Sequence, residues 1–146
     1  MIFRRKQINM LHQRLAEQPR FMIVVAGPRQ IGKTTMVKQA LSAYPSTFVA
    51  TDQPLPEAID PFADQSSGVS ANILPGAPPT AEWLVRQWTQ ARANARAQTE
   101  GRCYVLAIDE IQKIPRWSEV VKGLWDADRA ENLPLHVILL GSSPWL

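Results

Sequence analysis

Four short, mainly apolar runs lie along the chain, and each is continuous rather than alternating with polar residues. Continuous runs are typical of strands that are covered on both faces, as in a parallel sheet between two layers of helices. We therefore predict four strands, at Phe21–Ala26, Thr47–Ala50, Tyr104–Ile108 and Val137–Leu140.

Between these runs, other stretches carry apolar residues at the i, i+3, i+4 spacing that places them on one face of an α-helix. These stripes span Ile8–Leu15, Leu84–Ala95 and Trp117–Trp125. Thr80 is a suitable N-cap for the second stripe, and Pro19 helps to end the first. A further helix is expected over Thr35–Leu41. Strands that alternate with helices predict an α/β fold with right-handed crossovers.

One long segment breaks this alternation. Residues Gln53 to Thr80 hold half of the chain's 12 prolines together with a Ser-Ser-Gly run, so little regular structure is expected there. A connection of this length inside a compact domain is typical of a functional loop or an insertion. We interpret residues 1–146 as a single domain with a proline-rich insertion at 53–80.

Composition narrows the class of protein. The length of 146 residues suits one domain, and the apolar share of 45% is enough for a sizeable core. A formal charge of +3 permits contact with anions without requiring nucleic acid, which stays open as a partner. The single cysteine excludes an internal disulfide framework. No run is long enough to cross a bilayer and the N-terminus does not resemble a secretory signal, so we predict a cytoplasmic protein without a membrane partner.

The strongest chemical signal directly follows the first predicted strand. The eight residues from Gly27 to Thr34 match the phosphate-binding pattern G-x-x-x-x-G-K-[ST] in full, between a strand and a helix as the pattern requires. Its glycines bring backbone amides close to a phosphate, Lys33 reaches the β- and γ-phosphates, and the Thr34 hydroxyl binds Mg²⁺. The predicted nucleotide-binding residues of this loop are Gly27, Pro28, Arg29, Gln30, Ile31, Gly32, Lys33, Thr34 and Thr35.

A second signal is the acidic pair that ends the third predicted strand. In phosphate-loop proteins the carboxylate at this place holds Mg²⁺ opposite the loop hydroxyl, which is the role predicted for Asp109. Glu110 is then placed to polarise a water molecule aimed at the γ-phosphate. Taken alone, an apolar strand followed by Asp-Glu is equally typical of a solvated turn, and the preceding phosphate loop favours the functional interpretation.

The fourth predicted strand ends in Gly141, Ser142 and Ser143. If this strand lies between the first and the third, its hydroxyl groups come near the γ-phosphate and contact the attacking water or report the nucleotide state. A plain turn after a strand explains the same residues about as well.

Three stretches resemble the N-terminal ATPase domain of the AAA+-type ATPases of bacteria and archaea that usually carry a C-terminal DUF4143 region. They are Gly27–Thr35, Ile108–Glu119 and Leu140–Pro144, and the similarity runs from about Gln7 to the end except for the insertion. The middle stretch, Asp-Glu-Ile-Gln-Lys with Pro-x-Trp-Ser behind it, is the most specific.

The resemblance implies a P-loop NTPase three-layer sandwich of the AAA+ (ASCE) type, with strand order 2-3-4-1-5. It implies Mg²⁺-dependent ATP binding and hydrolysis, with Lys33 and Thr34 on phosphate and metal and Asp109 on the metal. Glu110 is the implied catalytic base, beside Lys33 as the second catalytic residue. Ser142 or Ser143 is the implied sensor of the nucleotide.

The resemblance also sets an alternative function. The sequence stops at Leu146, just past the fourth strand, so we expect a truncated domain without the fifth strand, the lid and the finger arginine. Such a fragment is expected to bind nucleotide weakly and turn over little. The alternative is a non-hydrolysing nucleotide-binding or interaction fragment that needs its C-terminal part or a partner. An open sheet edge also predicts self-association, hence a homo-oligomer or a partner protein.

Overall fold

Four parallel strands form one sheet in the order β1-β4-β3-β2. The computed structural model describes residues 2–27, 32–51, 79–99 and 101–142. The strands are β1 (Ile23–Ala26), β2 (Ser46–Ala50), β3 (Tyr104–Asp109) and β4 (Leu135–Gly141). The helices are α1 (Ile2–Ala16), α2 (Lys33–Leu41), α3 (Ala81–Arg96) and α4 (Trp117–Ala130), with a 3₁₀ turn at Ile111–Lys113.

Helices cover both faces of this sheet. Val105 and Ala107 of β3 face α1 and α2, whereas Leu106 and Ile108 of the same strand face α3 and α4. Because neighbouring residues of a strand point to opposite faces, a strand buried on both sides is apolar at nearly every position. The predicted α/β three-layer class is therefore confirmed, and it explains why the apolar runs do not alternate.

Three elements begin two residues away from their predicted start, and the other strand boundaries agree to within one residue. β1 begins at Ile23 rather than Phe21, because its pairing with β4 starts at Ile23 opposite Ile138 and Phe21 is 72% exposed. β4 begins earlier than Val137, since Leu135 pairs with Tyr104 of β3. α2 begins at Lys33 rather than Thr35.

The start of α2 shows why a helix boundary is hard to place from sequence. Gly32 occupies the N-cap position with a φ of 76°, and its carbonyl accepts the first helical hydrogen bond from the Met36 amide at 3.0 Å. A left-handed glycine at this point turns the chain directly into the helix. The lysine and threonine of the phosphate-loop pattern are therefore the first two residues of α2.

The predicted start of α3 is confirmed. The Thr80 hydroxyl accepts a hydrogen bond from the Trp83 amide at 3.3 Å, as an N-cap residue does. The predicted stripe faces the core, with Leu84 and Trp88 fully buried. Apart from Pro79 and Thr80, the predicted insertion at 53–80 lies outside the described residues.

The connection between α1 and β1 is held by two basic side chains from other elements. His136 of β4 donates from Nε2 to the Glu17 carbonyl at 2.9 Å, and burial lowers the pKa of this imidazole. The Arg129 guanidinium donates to the Pro19 carbonyl and lies 4.5 Å from the Trp125 ring. Both residues thus support the fold.

The edge strand β1 pairs only with β4 within the described residues. Val24 on this edge is 50% exposed and lies in an open groove of about 590 Å³ that Met10 of α1 also lines. This arrangement agrees with the open edge expected from the sequence, and self-association stays a prediction. No helix in the described ranges has the length and apolar character needed to cross a bilayer.

A buried polar network joins α3 to α4. The Asp128 carboxylate, 2% exposed, accepts from Trp88 Nε1 at 2.7 Å and from Arg92 Nε at 2.6 Å. Arg92 also donates to the Leu124 carbonyl at 2.9 Å. The two donors match both oxygens of a carboxylate that is removed from water, so each member depends on the others.

Replacing Asp128 by alanine is expected to lower the free energy of unfolding by about 3–5 kcal/mol, because it leaves the Arg92 charge and the Trp88 N–H without their acceptor. The matched control is Glu131→Ala, which breaks the exposed pair that Glu131 forms with Arg96 at 3.1 Å. That change is expected to cost at most about 1 kcal/mol. Urea unfolding of both variants measures the difference, and equal losses would contradict the assignment.

Candidate functional site

The chemically distinctive residues follow the carboxyl ends of β1, β4 and β3, so they lie together at the carboxyl-terminal end of the parallel sheet. Gly27 follows β1, Ser142 follows β4, and Asp109 and Glu110 lie at the end of β3. The strand order places β4 between β1 and β3, which is the condition on which the predicted role of the β4 hydroxyl depends. Ligands of open parallel sheets bind at this end.

Two glycines bound the phosphate-loop pattern, and both have a positive φ. Gly27 has a φ of 147° and Gly32 a φ of 76°. Other residues adopt such angles only with strain, so the backbone itself favours glycine at both positions. The residues between them, Pro28, Arg29, Gln30 and Ile31, lie outside the described residues, and their contacts with nucleotide stay predictions.

Lys33 lies at the start of α2 and is only 4% exposed. Its ammonium group donates to the Gly27 carbonyl at 2.8 Å, so the side chain reaches back to the residue that opens the loop. A buried cation needs acceptors around it. The ammonium group therefore lies at the opening of the phosphate loop, and its predicted contact with the β- and γ-phosphates stays a prediction.

Thr34 and Asp109 meet across the gap between α2 and β3. The Thr34 hydroxyl donates to Asp109 Oδ2 at 2.9 Å, while the Glu110 backbone amide donates to Asp109 Oδ1 at 2.9 Å. The second bond fixes the plane of the carboxylate and leaves Oδ2 directed at Thr34. The two residues predicted to share a metal are therefore neighbours in space, although 75 positions separate them in the chain.

Glu110 has an unusual backbone and a buried side chain. The φ angle of Glu110 is 56°, and the residue is 6% exposed to solvent. The Thr51 hydroxyl donates to its carbonyl at 3.0 Å, which helps to hold this left-handed conformation. Non-glycine residues held in this region cost free energy and are frequent at functional sites, so the strain agrees with a functional role for Glu110.

The Glu110 carboxylate contacts the ends of two other elements. Its Oε2 accepts from the Ser142 hydroxyl at 3.0 Å and from the side-chain amide of Gln112 in the 3₁₀ turn. Gln112 also donates to Ser142 Oγ at 3.3 Å. The structure thus brings Ser142 to Glu110, whereas Ser143 lies outside the described residues.

Sequence reasoning missed two members of this cluster. Gln112 lies in the Ile108–Glu119 stretch that resembles the ATPase family, but the sequence predicts no role for it. Nothing in the sequence indicates a role for Thr51. Glutamine after an acidic pair and threonine after a strand are ordinary surface residues in most proteins, so no local signal separates them from polar turns. Thr35, predicted to contact nucleotide, is exposed on α2.

The chain also matches a model of a protein family. A family model described as an AAA domain (AAA_14) matches residues 19–146. No curated protein matches the chain.

Solved structures with the same fold include two that cover nearly all of this chain. The Orc1 protein of Aeropyrum pernix, solved in complex with DNA, has a TM-score of 0.56 and 14% sequence identity; the match covers 97% of this chain and 39% of that one. PCH-2 of C. elegans has a TM-score of 0.52 and 15% identity, with coverage of 97% and 38%. The chain spans about two fifths of the length of either protein. Identities this low show the shared fold alone.

Proposed function

Because the chain belongs to the AAA domain family, we propose that it binds ATP with Mg²⁺ and hydrolyses it to ADP and phosphate. The observation that carries the proposal is the hydrogen bond between Thr34 and Asp109 at 2.9 Å. It places a hydroxyl and a carboxylate oxygen together beside the buried Lys33 and beside Glu110. That group of side chains is what nucleotide hydrolysis requires.

The proposed phosphate site is the segment from Gly27 to Lys33. The amide groups at the N-terminus of α2 carry partial positive charge and suit an anion. Lys33 adds a full charge there and exchanges its bond to the Gly27 carbonyl for bonds to phosphate oxygens. An anion with several negative oxygens, such as a triphosphate, fits this positively charged site best.

The residues present fit a Mg²⁺ ion. Hydroxyl and carboxylate oxygens are the hard ligands that Mg²⁺ prefers, and Thr34 and Asp109 offer one of each. Mg²⁺ takes its other ligands from water and phosphate, so one protein carboxylate is sufficient. When bound, the ion neutralises negative charge on the phosphates.

Glu110 is the proposed base. The oxygen of a water molecule forms a bond to the γ-phosphorus while the bond from that phosphorus to the bridging oxygen breaks and ADP leaves. The water gives its proton to the Glu110 carboxylate. Lys33 and the amides of the loop stabilise the negative charge of the transition state.

A second candidate function is ATP binding without hydrolysis. One observation favours it: Oε2 of Glu110 already accepts hydrogen bonds from Ser142 and Gln112. If the carboxylate kept both bonds in the nucleotide complex and did not reach the water, the domain would bind ATP and not cleave it. Phosphate release separates the two functions.

The Thr34 hydroxyl tests the metal part of the proposal. Thr34→Val keeps the shape of the side chain and removes its oxygen, whereas the matched control Thr34→Ser keeps the oxygen. We expect the Mg²⁺ concentration for half-maximal phosphate release to rise about 10- to 100-fold in Thr34→Val, since a bond to a charged group contributes about 1.5–3 kcal/mol. It is expected to stay at the parental value in Thr34→Ser.

Phosphate release by the purified chain is measured over a range of Mg²⁺ and in EDTA, with ATP binding followed by calorimetry. Binding with Mg²⁺-dependent release supports hydrolysis, and binding without release supports the second candidate. Release that is equally fast in EDTA would contradict the metal site. Absence of any ATP binding would overturn the proposal as a whole.

A further inference from the structure

Three side chains from different elements form a closed set of hydrogen bonds around Glu110. Ser142 at the end of β4 donates to Glu110 Oε2 at 3.0 Å, and the Gln112 amide donates to the same oxygen. The Gln112 amide also donates to Ser142 Oγ at 3.3 Å, which links the two donors to each other. Two donors on one oxygen, from two elements, restrict the position of that oxygen and so the direction of the carboxylate.

The backbone that carries Gln112 is itself well held. It lies in the 3₁₀ turn that begins directly after Glu110, and the Lys113 amide donates to the Glu110 carbonyl at 3.1 Å. Ile111, on the other side of Gln112, is fully buried in the core. The amide of Gln112 is therefore presented to Glu110 from a rigid support.

The other end of the Gln112 amide is poorly satisfied. Its Oε1 is buried and has no hydrogen-bond partner among the described residues. A buried acceptor without a partner is unfavourable, because it has lost its bond to water. An apolar side chain of the same size would avoid that cost, so the donating NH₂ group is the part of the residue that the site uses.

We propose that Gln112 is a positioning residue for Glu110: its side-chain amide, together with the Ser142 hydroxyl, sets the direction in which the Glu110 carboxylate takes the proton of the attacking water. The inference rests on the proposed hydrolysis of ATP and deepens it. A neutral amide suits this task because it orients a carboxylate without adding a positive charge that would make the carboxylate a weaker base. Gln112 acts through Glu110 and need not touch the nucleotide.

The principal variant is Gln112→Met, which keeps the length and most of the shape of the side chain but cannot donate. We expect kcat for phosphate release to fall about 10- to 100-fold, because small displacements of a catalytic group have effects of that size. KM and the calorimetric affinity for ATP are expected to stay at parental values. The control is Gln98→Met, the same change at a glutamine that follows α3 and whose side-chain amide donates to the Asn94 carbonyl of that helix at 3.3 Å. Its kcat is expected to equal the parental value.

Two further variants separate positioning from a merely structural role. Gln112→Glu replaces the donor by a second carboxylate, and we expect its kcat to fall at least as far as that of Gln112→Met. This variant tests the same role if the methionine variant does not fold. In a Glu110→Gln background, Gln112→Met is expected to add no further loss of kcat. A residue that only supported the fold would lower activity in both backgrounds.

A spectroscopic readout does not depend on turnover. The signal of the Glu110 carboxyl carbon is observed by carbon NMR in protein that carries ¹³C at the Cδ atoms of glutamate. The signal is assigned by its absence from the spectrum of Glu110→Gln. Its signal is expected to shift in Gln112→Met and to stay unchanged in Gln98→Met. An unshifted signal, with or without hydrolysis by the parental chain, would overturn the inference.

The outcomes also distinguish this inference from the proposed function. If Glu110→Gln hydrolyses ATP at the parental rate, Glu110 is not the base, and the role of Gln112 falls with it. If Glu110→Gln is inactive while Gln112→Met has parental kcat, the base assignment stands and only the positioning role is overturned. A fall in kcat with a proportional loss of ATP affinity would equally contradict positioning.

Discussion

Replacing Lys33 by alanine is expected to nearly abolish ATP binding. The side chain is 4% exposed and its ammonium group bonds to the Gly27 carbonyl at 2.8 Å, so its charge lies inside the loop rather than in solvent. A charge at such a site is screened little by water, and removal of one partner of a buried charge pair costs about 2–5 kcal/mol. We therefore expect ATP affinity to fall about 30- to several thousand-fold.

The matched control for this change is Lys38→Ala on the same helix. Lys38 is exposed, and its ammonium group lies 4.9 Å from the centroid of the Phe48 ring. Its removal deletes the same charge from α2 and loses only about 0.5–1 kcal/mol of cation–π contact, so ATP affinity is expected to stay near the parental value. Calorimetric titration with ATP compares the two variants.

A second variant at position 33 guards against a loss of fold. Lys33→Met keeps much of the buried volume and removes the charge, and its thermal unfolding is expected to stay close to that of the parental chain. Its ATP affinity is expected to fall as far as that of Lys33→Ala. Parental affinity in a folded Lys33→Met chain would show that the loop does not hold the phosphates.

Replacing Glu110 by glutamine is expected to stop hydrolysis and spare binding. Glutamine has the same length and accepts hydrogen bonds from Ser142 and Gln112 as the carboxylate does, but it cannot take a proton from water at neutral pH. A positioned base contributes about 10²–10⁴-fold to rate, so phosphate release is expected to fall by that factor. ATP affinity is expected to stay within the parental range.

The control for this variant is Glu119→Gln, which removes an exposed acid from the first turn of α4. It changes the net charge by the same amount, away from the cluster, and is expected to leave both rate and affinity at parental values. Single-turnover phosphate release and ATP titration measure the two quantities separately. Equal rates in Glu110→Gln and the parental chain would assign the base elsewhere.

Much of the candidate site could be predicted because most of its residues lie in short, continuous sequence motifs. Gly27 and Gly32 are required by positive φ angles, and Lys33 directly follows the second of them, so the loop is a local property of the backbone. Asp109 and Glu110 follow an apolar run, so the sequence alone indicates that they lie at the end of a strand. The roles of these residues toward nucleotide stay predictions.

Other features could not be read from local segments. Phe21 continues an apolar run but is exposed, because β1 is the edge strand among the described residues and its pairing with β4 starts two residues later. Gln112 and Thr51 are ordinary polar residues until the fold brings them to the side chain and the carbonyl of Glu110. Such contacts depend on which strands are neighbours, and strand order is not encoded in any one segment.

The sequence by itself determined the element types, the covered parallel sheet and the phosphate-loop pattern, because these follow from side-chain spacing and from the angles that glycine permits. Only the tertiary structure decided that Thr34 bonds to Asp109 and that Ser142 bonds to Glu110. The physical reason is that a hydrogen bond acts over about 3 Å, whereas these partners are separated in the chain by 75 and 32 positions. The packing of β4 between β1 and β3 closes those distances.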